Sequence, residues 1–397
     1  MTVTFFSNFL NDHQLPFCME MVERLGENKF HFVAHEKIDP ERVAMGFADM
    51  NEMYPFVVKS YEGGCQEEMA KKLMLDSDVV IIGSYRNMPF DERLKQNKLT
   101  FRYNERLLKT GDWRWLDHRV HMYVWTQWTK YRNKRLYELC ASAYTARDLS
   151  LFGFPKSKCF KWGYFPVVKE YDDVDAVMLA KRQTELKHSQ DVSILWVARL
   201  IEWKHPEYPV LIAKRLRQDG YRFSLDMIGI GKMRNEIQTM IEKYQLQDCV
   251  RLLGGMPPAD VRKHMEASEI FLFTSDRNEG WGAVLNESLN SGCAVVANRA
   301  IGSVPFLLEN GVNGLIYNNS IDDAYMSVKR LMDDADLRRK LGKAGYATMT
   351  KKWSAKNAVS NLFTLISSLQ CDTGVTPIKD GPCSKIDTVT YKSNKRL

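Results

Sequence analysis

A chain of 397 residues is too long for one ordinary domain and fits two of roughly 150–200 residues. Its 45% hydrophobic and 26% charged content excludes wholesale disorder, and no run approaches the ~20 apolar residues that a membrane-spanning helix needs. The formal charge of +7 does not demand nucleic acid and is compatible with anionic substrates or an acidic membrane surface.

Both halves alternate short apolar runs with helix-like stretches, the pattern of parallel sheets with crossover helices. The opening Met1–Phe6 lacks a basic region and a long apolar run, so no signal peptide is expected. Eight cysteines are scattered without a Cys-x-x-Cys pair, which points to a reducing compartment with neither a disulfide frame nor a zinc site. A cytoplasmic protein is the expectation. In the first half, strands are expected at Val3–Phe6, Phe30–Ala34, Val79–Ile82, Leu99–Tyr103, Leu139–Ser142 and Phe160–Tyr164, with helices at Gln66–Leu75 and Tyr144–Leu151. The polar stretch 167–190 reads as an interdomain linker. The second half restarts with strands at Ser193–Val197, Phe223–Ile228, Val250–Leu253, Ile270–Phe273 and Ala294–Ala297. Pro258 suits the first turn of a helix, residues 321–370 read as helical, and the polar residues 371–397 read as a disordered tail.

The most informative motif runs from Thr274 to Glu287. An apolar strand gives way to a polar turn, the carboxylate of Glu279, the step Gly280-Trp281-Gly282, and then Ala283 and a helix carrying Glu287. Such a turn aims backbone N–H groups and the positive end of a helix dipole at one spot, which favours phosphate. Glu287 is expected about two turns down that helix. Two acceptor-only carboxylates beside an anion site suit a ligand carrying both phosphates and hydroxyls, such as a nucleotide sugar. The bland alternative is two surface glutamates.

Arg199 and Lys204 follow the strand that ends at Val197, at the sheet edge where such folds bind ligands. A guanidinium fork and an ammonium point charge together suit a diphosphate, although two solvated loop cations are the competing reading. Gly229 and Gly231 follow another strand; a lone Gly-x-Gly permits close approach to phosphate, and a tight turn explains it nearly as well. After the first strand come Asn8, Asp12 and His13. His13 is a candidate for the acceptor, and Asp12 reads rather as a helix cap. Residues 101–137 mix basic side chains with Trp113, Trp115, Trp125 and Trp128. That mixture suits a peripheral membrane contact or a polyanionic acceptor, and equally a domain core with a solvated basic face. The remaining histidines show no metal-ligand spacing, and no metal site is expected.

Taken together and in order, Arg199-x4-Lys204, Asp226-x2-Gly229-x-Gly231, Leu252-Leu253-Gly254, Glu279-x7-Glu287, Ser291-Gly292-Cys293 and Glu309 to Leu315 resemble the C-terminal domain of retaining glycosyltransferases of family 4 over residues 190–370. The first half is similar only in general pattern, with Ser7 to Asn11 closest to a bacterial polysaccharide subset. The resemblance implies an α/β protein of the GT-B fold, with two Rossmann-like domains facing across a cleft and a C-terminal helix crossing back to the first domain. The implied division is 1–170 for the acceptor domain, 171–190 for a linker, 191–352 for the nucleotide-sugar domain, 353–370 for the returning helix and 371–397 for the tail.

By the same resemblance, Arg199 and Lys204 hold the diphosphate, Glu287 accepts from the ribose hydroxyls, and Gly229 gives room near the nucleotide. Glu279 and the N–H groups of Trp281 to Ala283 hold the donor-sugar hydroxyls. Relatives often carry a glycine-rich loop after the first strand, where Asn8 to His13 stand here. They also carry a histidine near the fourth strand, where this chain reads Phe101 to Arg106 and Glu105 or Arg106 fills the space. The implied activity is metal-independent hexosyl transfer, with retention, from a UDP- or GDP-sugar to a hydroxyl of a glycan or lipid-linked acceptor in surface polysaccharide synthesis. No cofactor is expected beyond this co-substrate, and no nucleic-acid partner. Two alternatives are a sugar-nucleotide epimerase and a catalytically silent glycan- or nucleotide-binding protein.

Overall fold

The computed structural model describes residues 1–38, 48–84, 90–180, 191–371 and 376–386. It divides into two units: Met1–Tyr164 together with Ala355–Leu397, and Phe165–Ser354.

The first unit is built on a parallel sheet of β1 (Val3–Ser7), β2 (Phe30–Ala34), β3 (Val57–Lys59), β4 (Val79–Ile82), β5 (Thr100–Asn104), β6 (Leu136–Cys140) and β7 (Cys159–Lys161). Their order is β3-β2-β1-β4-β5-β6-β7. The second unit repeats the plan with β8 (Val192–Val197), β9 (Phe223–Ile228), β10 (Val250–Gly254), β11 (Ile270–Phe273), β12 (Ala294–Asn298) and β13 (Leu315–Tyr317), ordered β10-β9-β8-β11-β12-β13. Every strand pairing in both sheets is parallel. Covered by helices on both faces, central strands such as β1, β4, β9 and β12 are buried at every position, and β4 reads as a continuous apolar run. In each sheet the strand order reverses beside the first strand of the unit, between β1 and β4 and between β8 and β11.

The structure departs from the sequence expectations at identifiable places. The edge strands β3 and β13 are three residues each, too short to give a periodic signal. β6 begins at Leu136, before the expected Leu139, because Glu138 is buried within it and the strand continues through the charge. Asp12 does not cap the helix Leu15–Leu25; Gln14 occupies that position without a side-chain capping bond. The turn is instead organised by Asn11, whose Oδ1 accepts from the His13 N–H at 3.0 Å.

The expected linker begins inside the second unit, where the helix Val174–Ala180 packs against Ala335–Lys351; residues 181–190 lie outside the described residues. The helix Ala355–Gln370 packs against Leu15–Leu25 in the first unit, with Arg24 lying 4.2 Å from the Phe363 ring centre. The expectation of a disordered tail fails for residues 376–386. Lys161 donates to the Ser384 carbonyl at 2.8 Å and Cys383 donates back to the Lys161 carbonyl at 2.7 Å, so this segment pairs with the edge strand β7. Cys383 and Ser384 are buried there. Its apolar content is low, and backbone pairing to an open edge replaces it as the ordering force. Residues 372–375 and 387–397 of the expected tail lie outside the described residues.

Candidate functional site

Doubly wound sheets bind ligands beyond the carboxyl ends of their strands, where the order reverses. In the second sheet that point is flanked by the loops leaving β8 and β11, which carry the residues singled out in the sequence. Lys204, after β8, forms an ion pair with Glu279, after β11. Their side chains are 12% and 11% exposed, so the attraction acts in a medium far less screening than water. Arg199 is exposed, with its guanidinium 5.8 Å from the Trp203 ring centre, and the Lys204 ammonium lies 4.3 Å from the same ring.

The two loops are tied to each other through their backbones. The Asp276 N–H donates to the Trp203 carbonyl at 3.0 Å. Thr274 Oγ1 donates to the Lys204 carbonyl at 2.6 Å and accepts from Trp196 Nε1 at 2.8 Å. His205 adopts the left-handed region at φ 51° and places its imidazole between Glu207, 2.8 Å from Nδ1, and Asp276, 3.7 Å from Nε2. Asp276 and Glu207 together push the His205 pKa up to about 9. A third loop, after β12, braces the motif: the Gly302 N–H donates to the Glu279 carbonyl at 3.2 Å and Ser303 Oγ to the Trp281 carbonyl at 2.5 Å.

Glu287 lies nearer the helix start than expected. The segment 279–283 is a turn, and the helix runs Val284–Asn290, which puts Glu287 in its first turn, next to the positive end of the dipole. Gly282 stands at φ +83°, and a Cβ there would lie 2.5 Å from the Phe273 ring, so the turn requires glycine. Gly280 is buried in the same turn, and Ala283 directly precedes the helix. The Trp281 side chain belongs to the core: its Nε1 donates to Asn286 Oδ1 at 2.9 Å and its ring packs against Phe306 and Trp353. Only its backbone is offered to a ligand.

Gly229 and Gly231 are explained first by the chain itself. At φ +147° and +157°, Cβ atoms there would meet the carbonyl oxygens of Ala198 and Leu200 at 1.8 and 2.3 Å. The Leu200 N–H bonds the Ile230 carbonyl at 2.9 Å, so the loops after β8 and β9 run side by side as an extension of the sheet. Asp226, in the same motif, forms a two-pronged pair with Arg251 on β10 at 2.7 Å for each contact.

In the first unit a cavity of about 290 Å³ brings together Asn8, His13 and Glu105 with Tyr103, Asn104 and Tyr164. The His13 and Tyr164 rings stack at 5.8 Å, and the Tyr164 hydroxyl donates to Glu105 Oε1 at 2.7 Å. Asn104 Nδ2 donates to Glu138 Oε1 at 3.2 Å. Burial pushes the Glu138 carboxyl up to about 7, and Trp128 Nε1 also donates to it at 2.7 Å. Arg106 does not line this cavity. It is buried, 3.6 Å from Asp148 and beneath the Tyr144 ring. A larger cavity of about 700 Å³ lies along β13 and the helix Ile321–Asp333 and contains none of these residues.

Sequence reasoning missed Thr274, His205, Asp276 and Tyr164. The first three lie inside the quoted motifs, where a Thr-x-Asp turn after a buried strand was a usable signal. Tyr164 reaches the cavity from the far end of the unit and left no local trace.

Residues 178–348 match the family model of glycosyl transferases group 1. The amylovoran biosynthesis glycosyltransferase AmsK of Erwinia amylovora is 32% identical over 130 residues, 32% of this chain and 32% of that protein. The putative colanic acid biosynthesis glycosyltransferase WcaL of Salmonella typhimurium is 30% identical over 128 residues, 31% of each chain. The match therefore spans about a third of the length of these curated relatives. Among solved structures, Anabaena HepE in complex with UDP superposes with a TM-score of 0.69 at 13% identity, covering 93% of this chain and 100% of that one. Sucrose-phosphate synthase of Thermosynechococcus elongatus gives 0.62 at 16% identity, with 94% and 100% covered. These likenesses show the fold: two Rossmann-like domains of the GT-B class.

Proposed function

We propose that this protein is a retaining glycosyltransferase that moves a hexose from a UDP- or GDP-sugar to a hydroxyl of a glycan or lipid-linked acceptor in surface polysaccharide synthesis. The observation that carries the reading is the Lys204–Glu279 pair, a phosphate-seeking cation and a hydroxyl-seeking carboxylate held at one spot by the loops after β8 and β11. The group 1 family match over residues 178–348 supports it, as do the polysaccharide-pathway names of AmsK and WcaL. A UDP-linked donor is in line with the UDP and UDP-glucose in the HepE structures.

In this mechanism Lys204 and Arg199 take the donor diphosphate. Phosphate competes with Glu279 for the Lys204 ammonium and so turns the carboxylate toward the sugar hydroxyls. Glu287 accepts from the ribose, and the N–H groups at the start of its helix stabilise the leaving diphosphate. The bond between the anomeric carbon and the phosphate oxygen breaks, and the acceptor oxygen attacks from the same face. Its proton passes to the departing phosphate oxygen. Preorganised charge of this kind is worth about 3 kcal/mol per contact, and here Lys204 and Arg199 supply it in place of a metal. The acceptor is assigned to the first-unit cavity, where Asn8, Glu105 and Tyr164 offer hydrogen bonds and the His13–Tyr164 stack offers a face for a sugar ring.

The test is release of nucleoside diphosphate from a panel of UDP- and GDP-hexoses, with and without hydroxyl acceptors and magnesium, followed by NMR of the product's anomeric configuration. The proposal expects turnover of one donor, unchanged by magnesium, with the donor's α configuration kept. Inversion would remove the mechanism, and no turnover of any donor would leave a binding protein.

A further inference from the structure

The polar side chains that line the first-unit cavity direct their donor groups at one another. Asn11 Nδ2 donates to Gln14 Oε1 at 3.1 Å, Gln14 Nε2 to Ser7 Oγ at 3.3 Å, and Ser7 Oγ to Asn8 Oδ1 at 3.2 Å. The Tyr164 hydroxyl gives its proton to Glu105 Oε1, and the Lys109 ammonium pairs with Glu105 Oε2. Among the described residues neither Lys nor Arg lines the cavity, while the Glu105 carboxylate does. Such a wall is rich in acceptors and carries negative charge.

Asn104, at the end of β5, is oriented from beneath the cavity. Its carbonyl accepts from the Ala141 N–H at 2.9 Å, so the backbone is fixed and the side-chain amide alone can turn. Glu138, on the neighbouring strand β6, is fully buried and does not line the cavity. Its Oε2 takes Trp128 Nε1 at 2.7 Å and its Oε1 takes Asn104 Nδ2 at 3.2 Å. An ionised carboxylate only accepts, so Asn104 must turn its NH2 toward Glu138. A planar amide then carries Oδ1 on the opposite edge, toward the cavity.

A buried carboxylate is costly, and a neutral side chain of similar volume would fill the space between β5 and β7 at least as well. What the charge adds is a fixed direction for the Asn104 amide, through a charge-assisted hydrogen bond. A ligand hydroxyl has a proton to give Asn104 Oδ1. A ligand carboxylate or phosphate has none, and the Glu105 charge repels it. Sites that present one kind of hydrogen-bonding group discriminate in this way against partners that cannot match it.

We propose that the acceptor is a neutral sugar whose hydroxyl protons are received by Asn104 Oδ1 and Glu105, with Glu138 positioning Asn104, and that sugars bearing a carboxylate or phosphate are turned away. The inference rests on the transferase reading and on the placing of the acceptor in this cavity. The test uses the full chain and the donor it turns over, at about pH 8.5, where Glu138 lies above its value of about 7 and is ionised. The acceptor probes are methyl glucoside, methyl galactoside and methyl mannoside, against methyl glucuronoside, methyl galacturonoside and methyl glucoside 6-phosphate. The parent should prefer the neutral glycosides about tenfold or more in kcat/KM. In Glu138→Gln the introduced amide keeps its oxygen on Trp128 Nε1 and turns its NH2 to Asn104, whose own NH2 then faces the cavity. The neutral-to-charged ratio should fall about tenfold, through KM. Adding Asn104→Asp should restore it, since the introduced carboxylate takes that NH2 with one oxygen and offers the other to the cavity. A merely structural Glu138 would lower every acceptor alike and would not be rescued. Equal use of charged and neutral glycosides by the parent overturns the proposal. So does an unchanged ratio in Glu138→Gln, or donor hydrolysis by the parent with no transfer to any neutral glycoside. These failures in an active parent remove this inference alone, whereas a parent that turns over no donor removes the transferase reading and this inference together.

Discussion

Lys204 and Glu279 come from positions 75 residues apart and meet almost out of water. Removing one leaves the other buried and uncompensated, so Lys204→Met is expected to lower both the melting temperature and turnover, the latter by about 10²-fold. Lys204→Met with Glu279→Gln should recover the melting temperature and leave turnover low; recovery of both would reduce the pair to a structural contact. His205 supplies a pH signature. Its folded pKa of about 9 lies above its ordinary 6.5, so its stabilising pairs with Asp276 and Glu207 are complete below about pH 6.5 and are lost as pH rises through 9. After allowance for solvent screening the effect is about 1 kcal/mol. Melting curves of the parent and His205→Gln should therefore diverge at pH 6 and converge near pH 10. Parallel curves would show that the imidazolium contributes nothing. The two glutamates and the two cations were legible in the sequence because each sits at a fixed step from a buried strand. Their direct pairing was not, since nothing local says which side chain crosses from one loop to the other.

At the scale of elements, the central strands were legible because burial on both faces leaves unbroken apolar runs, as in β4 and β11. The edge strands β3 and β13 were not, since three residues carry no period. β6 was displaced because Glu138 looks like a strand end and is instead a buried carboxyl bonded to Trp128 and Asn104. The Gly-x-Gly at 229 and 231 was legible as a motif, but the reason lies in tertiary approach: each glycine faces a carbonyl of the neighbouring loop. Gly229→Ala would put a methyl 1.8 Å from the Ala198 oxygen in a conformation that alanine avoids. A loss of about 3 kcal/mol or more is expected, read as a lowered denaturation midpoint. An unchanged midpoint would show that the loops after β8 and β9 separate freely. Glu287 was placed too deep in its helix for a related reason, since Gly282 holds a turn that delays the helix to Val284.

For the whole molecule, length predicted two domains and the alternation of apolar runs with helix-like stretches predicted parallel α/β sheets, and each unit shows a doubly wound sheet. The segment 376–386 escaped the sequence because its order comes from backbone pairing to β7 and from the Asn361 bond to the Pro382 carbonyl at 2.9 Å. Truncation after Cys371 should cost about 2–3 kcal/mol, seen as a lower melting temperature with nucleotide affinity intact. An unaltered melting temperature would make the segment an ornament of the fold. No helix among the described residues is long and apolar enough to cross a membrane. The most direct probe of the donor site is thermal shift of the full chain and of Glu287→Ala with nucleoside diphosphates and their sugars, with and without magnesium. A ligand at a hundred times its Kd adds about 2.7 kcal/mol. One base should stabilise the parent as both diphosphate and sugar, alike with and without metal, and should fail to stabilise Glu287→Ala. Equal stabilisation of parent and variant would take the nucleotide away from the Glu279–Glu287 motif and the proposed activity with it.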